Sequence, residues 1–372
     1  MDPVNYTRTK PRGQKHFAAR NGMKIVFVET EDDEQPFFAE SLAGHEVCFV
    51  DAIEEVPRDA EIVSVFVNSR VGPGFLRAHP RLRLVATRSA AVDHLETKAA
   101  AQRGVVLVHV PDYGAATVAE HTFALILGVS RRLRHCLDTR HRGRGSAGRL
   151  RGVELRGKTL GVVGTGRVGR MVIPIARAFG MECVAFDRKR DAALAAALGF
   201  RYVTLGELLK RSDVITLHIP LTPRTRHMLN ARRLARCKHG VILINTARGA
   251  LADIDALLDG LNSGQVGGVG LDVLEDEAAF KADPSRVIGA QIVQKIHAVS
   301  TPGGDTERRE ERLRELQGIM RNRRLLAHEN VFFTPHVGFS SVEAIERINL
   351  GTVDNIRNFI AGRLADEALV KS

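Results

Sequence analysis

The fold is decided by the stretch TLGVVGTGRVG at residues 159–169. Its first half is a short apolar run typical of a buried strand, and its second half matches the pattern G-x-G-x-x-G through Gly164, Gly166 and Gly169. A helical pattern follows the motif, and Asp187 stands at the end of the next apolar run. This order of strand, glycine turn, helix and strand predicts a Rossmann unit that binds a dinucleotide.

Each residue of the motif has a physical task. Gly164 permits a tight turn, Gly166 lets backbone amides approach a pyrophosphate at the positive end of a helix, and Gly169 lets that helix pack on the strand. Asp187 is expected to accept hydrogen bonds from the ribose hydroxyls and to repel a 2′-phosphate, which favours NAD over NADP as the cofactor. The basic run at 188–190 acts against that preference, and a purely structural glycine turn is the remaining alternative.

Strands and helices alternate on both sides of this motif. Helix-length spacers separate short β-branched runs, with long helical patterns at 117–133 and 341–361. Uniformly apolar strands joined by helical crossovers predict parallel sheets that are covered on both faces. The predicted strands lie at 24–28, 61–67, 84–87, 105–109, 160–163, 183–186, 214–217, 241–244 and 269–271.

The two series of strands predict an α/β fold with two doubly wound parallel-sheet domains. The length of 372 residues fits this number, since domains typically have roughly 100 to 200 residues. We expect a Rossmann dinucleotide-binding domain at 117–338 and a smaller flavodoxin-like substrate domain at 23–116. The smaller domain is predicted to be discontinuous, because the C-terminal helical pattern can carry residues 339–372 back to it.

An insert at 278–329 interrupts the predicted Rossmann domain. Its last part, 307–327, has apolar residues near helical spacing, namely Leu313, Leu316, Met320 and Leu325. A surface helix packed on its own subunit is the simplest interpretation. A subunit contact and a cover over a cleft are the alternatives.

The composition is that of a globular protein. Hydrophobic residues make up 44% and charged residues 26% of the chain, which excludes fibrous and disordered classes. No apolar run approaches the roughly 18 residues that a membrane span needs, and the N-terminus lacks the apolar core of a signal peptide. We therefore expect a cytoplasmic protein without a membrane partner.

The formal net charge of +11 raises the question of an anionic partner. The cationic excess is mostly dispersed, with two clusters, in the basic N-terminal arm at 1–22 and at 131–151. The second cluster has no interleaved aromatic residues. A solvated basic face is therefore the preferred interpretation, and nucleic acid is not an expected partner.

The cysteines argue against covalent cross-links and metal. Cys48, Cys136, Cys183 and Cys237 lie far apart, and no CxxC pair occurs. Neither a disulfide framework nor a zinc site is indicated, which fits a reducing compartment. No metal site is expected.

Three further blocks follow the glycine loop in order. They read INTARG at 244–249, LDVLEDE at 271–277 and TPHVGF at 334–339. With these blocks the chain resembles the D-2-hydroxyacid dehydrogenase family, from about residue 24 to 362 without the insert. The resemblance implies an NAD-dependent oxidoreductase whose catalytic residues are Arg248, Glu277 and His336.

The chemistry of these three residues fits reduction of a 2-oxo acid, which needs a hydride at C2, a proton on the developing alkoxide and an anchor for the carboxylate. The planar fork of Arg248 can hold the carboxylate and the carbonyl oxygen together. Histidine is the residue type most often used as a general acid or base, so His336 can deliver or remove the proton. A carboxylate from Glu277 beside it favours the imidazolium form and fixes the ring. An isolated surface arginine and a satisfied polar histidine are the simpler alternatives for each residue alone.

The resemblance also implies a set of cofactor contacts along the strand ends. Asp272 is expected near the nicotinamide carboxamide. Besides the three glycines, the set comprises Arg167, Val168, Asp187, Ile219, Pro220, Thr225, Thr246 and Ala247.

The substrate side follows from the resemblance too. Family members bind the substrate carboxylate on backbone amides of a loop that matches Ala90 and Ala91, where a glycine is common at the second position. Tyr113 and Phe339 match pocket residues of the D-lactate dehydrogenase branch and indicate a small apolar substrate side chain, although core packing explains either aromatic nearly as well. Arg70 is a further candidate for the pocket.

The leading hypothesis is a D-lactate-like dehydrogenase that acts on a small 2-oxo acid or 2-hydroxy acid, as a homodimer. Glyoxylate, hydroxypyruvate, and branched or aromatic 2-oxo acids are alternatives. 3-Phosphoglycerate is disfavoured, because the chain ends soon after His336 and Asn68 stands where that branch has a basic residue. Formate oxidation is disfavoured by Glu277, which that branch replaces with glutamine. A dinucleotide-sensing corepressor of the same fold is an alternative from a different class.

Overall fold

A computed structural model describes residues 22–142, 150–275, 277 and 306–370. The chain divides into two compact units, with boundaries between Tyr113 and Gly114 and between Ser340 and Ser341. The first unit combines the N-terminal and C-terminal segments, and the second unit lies between them. The basic arm, except Gly22, and residues 278–305 of the insert lie outside the described residues.

The first unit is built around five parallel strands in the order β2-β1-β3-β4-β5. This is the flavodoxin-like order, so the predicted class of the smaller domain is confirmed. Its strands are β1 Lys24–Val28, β2 Glu46–Val50, β3 Ile62–Val65, β4 Leu84–Thr87 and β5 Val106–Val108. Its helices are α1 Gln35–Ser41, α2 Pro73–Ala78, α3 Thr97–Gln102 and α12 Val342–Ile360, with a 3₁₀ turn at Ile53–Glu55.

Strand β1 shows why these strands are uniformly apolar. Val26 and Val28 belong to the core on one face of the sheet, and Ile25 and Phe27 belong to the core on the other. The Phe27 ring stacks on Phe38 of α1 with ring centroids 4.2 Å apart. Because helices cover both faces, both sets of alternating side chains are buried.

The second unit has seven parallel strands in the order β12-β11-β10-β9-β6-β7-β8. The order reverses between β6 and β9, as it does in a Rossmann fold, which confirms the predicted class. Its strands are β6 Thr159–Val163, β7 Glu182–Phe186, β8 Arg201–Tyr202, β9 Val214–Leu217, β10 Val241–Asn245, β11 Val266–Leu271 and β12 Val331–Phe333. Its helices are α4 Ala115–Ser130, α5 Leu133–Arg142, α6 Arg167–Ala178, α7 Ala192–Leu198, α8 Leu205–Arg211, α9 Ala231–Leu234, α10 Ile254–Asn262 and α11 Thr306–Ala327, with a 3₁₀ turn at Gly249–Leu251.

Three strands were not predicted, namely β2, β8 and β12. Each lies at the edge of its sheet. An edge strand has one neighbour and is short or partly exposed, and Arg201–Tyr202 of β8 has no fully buried residue. Strands β8 and β12 are too short to show the continuous apolar run that marks a central strand, whereas β2 does contain such a run, VCFV at 47–50, which was not assigned to a strand.

The predicted helix at 117–133 was wrong at its C-terminal end. Helix α4 ends at Ser130, and Arg132 has a φ of 52°, in the left-handed region. The chain turns there and starts a second helix, α5, at Leu133. The apolar pattern crosses this turn without a proline or a glycine, so periodicity alone gave no signal of the break.

The predicted apolar stripe on the insert helix was also wrong in part. On α11 the buried residues include Ile319, Asn322 and Leu325, whereas Met320 is 49% exposed. The buried Asn322 donates through Nδ2 to the carbonyl oxygen of Glu275 at 2.7 Å. The stripe was misassigned because the buried face includes the polar residue Asn322, and the prediction considered only apolar residues.

Within the described residues, no helix combines the length and the apolarity needed to cross a bilayer. The same part of the chain has no cluster of histidine, cysteine and carboxylate side chains that could bind a metal ion. All four cysteines are described there, and they form no disulfide.

Candidate active site

The glycine loop lies at the carboxyl end of β6, where the strand order reverses. Gly164 has a φ of +98°, and a Cβ there would lie 2.5 Å from the carbonyl oxygen of His218, so another residue is excluded by both strain and space. A Cβ on Gly169 would overlap the carbonyl oxygen of Gly164, so α6 packs closely on the turn.

Gly166 has the opposite surroundings. A Cβ there would meet nothing within 4 Å, and Gly166 provides no side-chain cap for the amides that begin α6. Open space therefore lies beside backbone N–H donors at the positive end of a helix, as a pyrophosphate requires. The loop fits the dinucleotide that the motif implies.

Asp187 follows β7, beside the loop. Its carboxylate accepts hydrogen bonds from the Thr165 amide at 2.8 Å and the Lys189 amide at 3.0 Å. Partial burial acts to raise the pKa of the Asp187 carboxyl, and the hydrogen bonds from Thr165 and Lys189 outweigh it, so the pKa lies below its ordinary value. The group is therefore an anionic acceptor at neutral pH.

The other predicted cofactor residues are distributed over the ends of β6, β9 and β10. Ile219 packs against the turn at Gly164, and the Thr225 hydroxyl donates to the carbonyl oxygen of Pro220 at 2.8 Å. Thr246 and Thr122 share a hydroxyl contact of 3.1 Å. Arg167 is exposed and Val168 is half-buried in the first turn of α6.

Arg248 lies directly after β10, on a turn that Asn245 holds. The buried Asn245 side chain accepts from the Ala247 amide at 3.1 Å and donates to the carbonyl oxygen of Arg248 at 2.8 Å. The Arg248 guanidinium donates through Nη1 to the Ala247 carbonyl oxygen at 2.7 Å. One amide side chain thus fixes the backbone beneath the guanidinium.

Glu277 and His336 are in direct contact. The Nδ1 atom of His336 lies 2.6 Å from Oε2 of Glu277, and Oε1 of Glu277 accepts from the Leu274 amide at 2.6 Å. The histidine side chain is 39% exposed and the glutamate 23% exposed. The pair is therefore oriented by the protein and still open to a small molecule.

Asp272 forms the base of the turn that carries His336. Its carboxylate accepts from the Thr334 hydroxyl at 2.6 Å and from the amides of Val337 and Gly338 at 2.9 Å each. The side chain is 3% exposed, and Nε2 of His121 lies 3.3 Å away. The residue that the resemblance placed near the nicotinamide thus holds His336 at its φ of 56°.

The structure brings the three predicted catalytic residues to adjacent strand ends. Arg248 follows β10, Glu277 follows β11 and His336 follows β12, and these strands are neighbours in the sheet. All three lie in the second unit. The carboxyl edge of this sheet also carries the glycine loop, so one edge holds both sets of residues.

Gly249 joins two of these strand ends, and its replacement gives a testable prediction. A Cβ there would overlap the backbone of Leu274 and Glu275, which precedes Glu277. We expect Gly249→Ala to displace Arg248 and Glu277 relative to each other and to lower turnover about tenfold or more, since small misplacements are costly in catalysis. Steady-state kinetics beside Gly74→Ala, where a Cβ would have no close neighbour, provides the check. Equal turnover in both variants would contradict it.

The predicted substrate loop follows β4 in the first unit. The Ser89 hydroxyl donates to the carbonyl oxygen of Ala91 at 2.5 Å, and Nδ1 of His109 lies 3.1 Å from the carbonyl oxygen of Ala90. Ala90 itself is exposed. Arg70, after β3, is paired with Glu96 at 3.0 Å, and its side chain is 78% exposed.

Arg88, directly before this loop, is a buried cation that the sequence did not single out. Its guanidinium donates to the carbonyl oxygens of Val28 at 2.6 Å and Glu29 at 2.7 Å and to the Ser64 hydroxyl at 3.0 Å. Burial lowers the pKa of Arg88 to about 10, with Glu34 and Glu29 acting in the opposite direction. Arg88 therefore ties the ends of β1, β3 and β4 together beneath the loop.

The two predicted pocket aromatics belong to different units. Phe339 presents its ring to His336 at 6.4 Å between centroids and an interplanar angle of 80°. Tyr113 is half-buried, and its carbonyl oxygen accepts from Nε of Arg347 at 2.8 Å. Phe339 therefore lies beside the predicted acid and base.

Several residues that build this site carried no recognised signal in the sequence. Asn245, Thr334 and Gly249 stand inside the matched blocks, so each could have been found by asking what a polar or small residue does at a strand end. His121 and Tyr202 lie outside every block, and their partners are distant in the chain.

Comparison with known proteins matches these observations. The family model described as D-isomer specific 2-hydroxyacid dehydrogenase, NAD binding domain, matches residues 123–338. The D-lactate dehydrogenase of Escherichia coli strain K12 is 32% identical over 94% of this chain and 100% of its own length. The D-3-phosphoglycerate dehydrogenase of Methanocaldococcus jannaschii is 31% identical over 84% of this chain, which spans 52% of that relative.

A solved structure gives the same result for the fold. The D-lactate dehydrogenase of Aquifex aeolicus, crystallised with NAD and lactic acid, superposes with a TM-score of 0.75 at 34% identity. The match covers 93% of this chain and 98% of that one. The chain therefore belongs to the D-isomer specific 2-hydroxyacid dehydrogenases, as an NAD-dependent oxidoreductase of that family.

Proposed function

We propose that this chain reduces a small 2-oxo acid with NADH to the D-2-hydroxy acid, in the manner of a D-lactate dehydrogenase. The observation that carries the proposal is the 2.6 Å contact between Glu277 and His336, next to the strand end that holds Arg248. An acid, its orienting carboxylate and an anion-binding fork at one sheet edge are what this reaction needs.

The residues are assigned separate roles. Arg248 binds the substrate carboxylate and the carbonyl oxygen, and stabilises negative charge as it develops there. Nδ1 of His336 is held by Glu277, so Nε2 is the atom that delivers the proton to the carbonyl oxygen. Bound NADH supplies the hydride.

The chain's own geometry keeps these groups in place. Asn245 holds the turn beneath Arg248, and Asp272 holds the turn of His336. Glu277 is itself tied to the backbone through the Leu274 amide. The acid and the anchor are thus pre-oriented before substrate binds, which lowers the entropic cost of reaching the transition state.

The candidate substrate-binding residues are four residues of the first unit and Phe339 of the second. Ala90, Ala91 and Arg70 are the candidates that bind the carboxylate end, and Tyr113 and Phe339 are the candidates beside a small apolar side chain. Relatives in this family include a D-lactate dehydrogenase and a D-3-phosphoglycerate dehydrogenase. Pyruvate is the proposed substrate rather than a phosphorylated acid, because Asn68 stands near the position where the phosphoglycerate branch has a basic residue.

A panel of acids tests the proposed reaction. We expect NADH oxidation to be fastest with pyruvate or a close analogue and slowest with 3-phosphohydroxypyruvate. Glyoxylate, hydroxypyruvate and phenylpyruvate complete the panel. No turnover with any of these acids, in protein that binds NADH, would remove the proposed activity and favour a dinucleotide-sensing role.

The cofactor preference gives a second prediction. Replacing Asp187 with alanine removes the anionic acceptor and leaves the exposed cations at 188–190. We expect the KM for NADH to rise about tenfold, since a hydrogen bond to a charged group contributes roughly 1.5 kcal/mol or more, and the KM for NADPH to rise less or to fall. Initial rates with both cofactors measure this. A wild-type preference for NADPH would contradict the role given to Asp187.

The compartment and the assembly are proposed as well. Four cysteines that form no disulfide are compatible with a reducing cytoplasm. A homodimer is the assembly expected from the family resemblance. Light scattering on a size-exclusion column distinguishes a dimer of the 40.8 kDa chain from a monomer.

A further inference from the structure

The Asp187 carboxylate is held by a chain of hydroxyl groups that runs across three strands. Its Oδ2 atom accepts from the Thr165 amide at 2.8 Å and also from the Thr165 hydroxyl at 3.1 Å. The same hydroxyl lies 2.9 Å from the hydroxyl of Tyr202. Thr165 follows β6, Asp187 follows β7, and Tyr202 is in β8, so the chain links the ends of three neighbouring strands.

The direction of these hydrogen bonds follows from counting protons. The Thr165 hydroxyl has one hydrogen, and it is donated to Asp187. Thr165 must then accept from Tyr202, so the proton donors run from Tyr202 through Thr165 to Asp187. Thr165 is 6% exposed, so water cannot readily replace either partner.

This arrangement fixes which oxygen of the carboxylate is open. Two hydrogen bonds from Thr165 converge on Oδ2, whereas Oδ1 accepts from the Lys189 amide at 3.0 Å, and the Arg188 amide also favours the ionised carboxylate. We therefore assign Oδ1, the oxygen that the Thr165 side chain leaves open, to a ribose hydroxyl. Without the Thr165 hydroxyl the carboxylate would keep its two amide donors but lose one of the two hydrogen bonds to Oδ2, so it would be held less firmly toward the ribose.

The neighbouring charges make that orientation matter for selectivity. Arg188, Lys189 and Arg190 follow Asp187 directly and are exposed. Such a run favours a 2′-phosphate by Coulomb attraction. The fixed negative charge of Asp187 opposes this attraction. Groups that hold the Asp187 carboxylate in place therefore also affect the relative affinity for NADH and NADPH.

We propose that Thr165 and Tyr202 are specificity-determining positioning residues, which select NADH over NADPH by holding the Asp187 carboxylate toward the ribose. Neither touches the reacting atoms, and both act through Asp187. The inference deepens the proposed NADH-dependent reaction and rests on it for the choice of cofactor. It makes no use of the catalytic residues.

Direct binding to the full chain tests the proposal without relying on turnover. Dissociation constants for NADH and NADPH are measured by calorimetry for wild type, Thr165→Val, Thr165→Ser and Tyr202→Phe. We expect Thr165→Val, which keeps the shape and the amide donor, to reduce the preference for NADH by up to about tenfold, since Thr165 acts through Asp187 and its effect is bounded by that of Asp187→Ala. Tyr202→Phe should reduce the preference for NADH about threefold. Thr165→Ser, which keeps the hydroxyl, should retain the wild-type preference.

A double-mutant cycle separates positioning from a general structural effect. In an Asp187→Ala background, Thr165→Val should change the ratio of the two dissociation constants by less than about twofold, because the group it positions is gone. Thermal melting confirms that each variant is folded. The proposal would be overturned if Thr165→Val and Tyr202→Phe fold and keep the wild-type ratio of the two dissociation constants. It would also be overturned if both variants lose affinity equally for NADH and NADPH.

The outcome is distinguishable from failure of the proposed function. Protein that binds NADH selectively, loses selectivity in Thr165→Val and yet reduces no 2-oxo acid would refute the reaction and support this inference. Protein that reduces pyruvate with NADH while Thr165→Val retains its selectivity would refute the inference alone.

Discussion

Replacement of His336 by asparagine is expected to lower turnover with a 2-oxo acid by roughly 10³-fold, within the range that a positioned acid or base contributes. The reason is local: Nδ1 of His336 is held 2.6 Å from Glu277, which leaves Nε2 as the proton donor. Asparagine has no group that titrates near neutrality. The dissociation constant for NADH should stay within about twofold of wild type, because the residue serves the chemical step.

Asparagine is the better choice than alanine for a structural reason. His336 has a φ of 56°, a backbone conformation that asparagine adopts more readily than alanine. The turn built by Asp272 should therefore persist in the variant. His239→Asn, at an exposed histidine of the same unit, is the matched control. Turnover in His336→Asn close to that of His239→Asn would show that another group moves the proton.

The parts of the site that were predictable share one property: they lie in a short continuous piece of sequence. The glycine loop, Arg248 and His336 each follow an apolar strand, and parallel strands bring their carboxyl ends to the same edge of a sheet. The family resemblance selected the three blocks, and the neighbouring strands β10, β11 and β12 explain why residues that follow them lie at one edge of the sheet. Glu277 and His336 lie 59 positions apart in the chain, and their side chains are in direct contact at 2.6 Å.

What could not be predicted are contacts whose two partners are far apart in the chain or whose geometry is not periodic. The sequence around Tyr202 does not indicate that its hydroxyl contacts Thr165, because that contact depends on the pairing of β8 with β7. In the sequence Arg88 is one of many cationic residues, and nothing indicates that it is buried. In the structure the residue is only 3% exposed. The role of Asp272 depends on the left-handed turn at His336, which leaves no mark in the sequence.

The second large effect is expected at Arg248. Replacement by lysine keeps the charge and removes the planar fork, so kcat/KM for the 2-oxo acid should fall by roughly 10²- to 10³-fold, comparable to loss of one donor to a developing oxyanion. In the structure one nitrogen of the guanidinium already donates to the Ala247 carbonyl oxygen at 2.7 Å. A guanidinium can make that bond and still present other N–H groups to a substrate, whereas a single ammonium has to serve both partners from one nitrogen.

The test separates anchoring from charge. Arg248→Lys, Arg248→Ala and the exposed control Arg232→Lys are compared for kcat/KM with pyruvate and for NADH affinity. If the fork anchors the carboxylate, the lysine variant should resemble the alanine variant more than wild type, and added guanidinium should restore part of the activity of Arg248→Ala. A lysine variant within about twofold of wild type would mean that charge alone suffices.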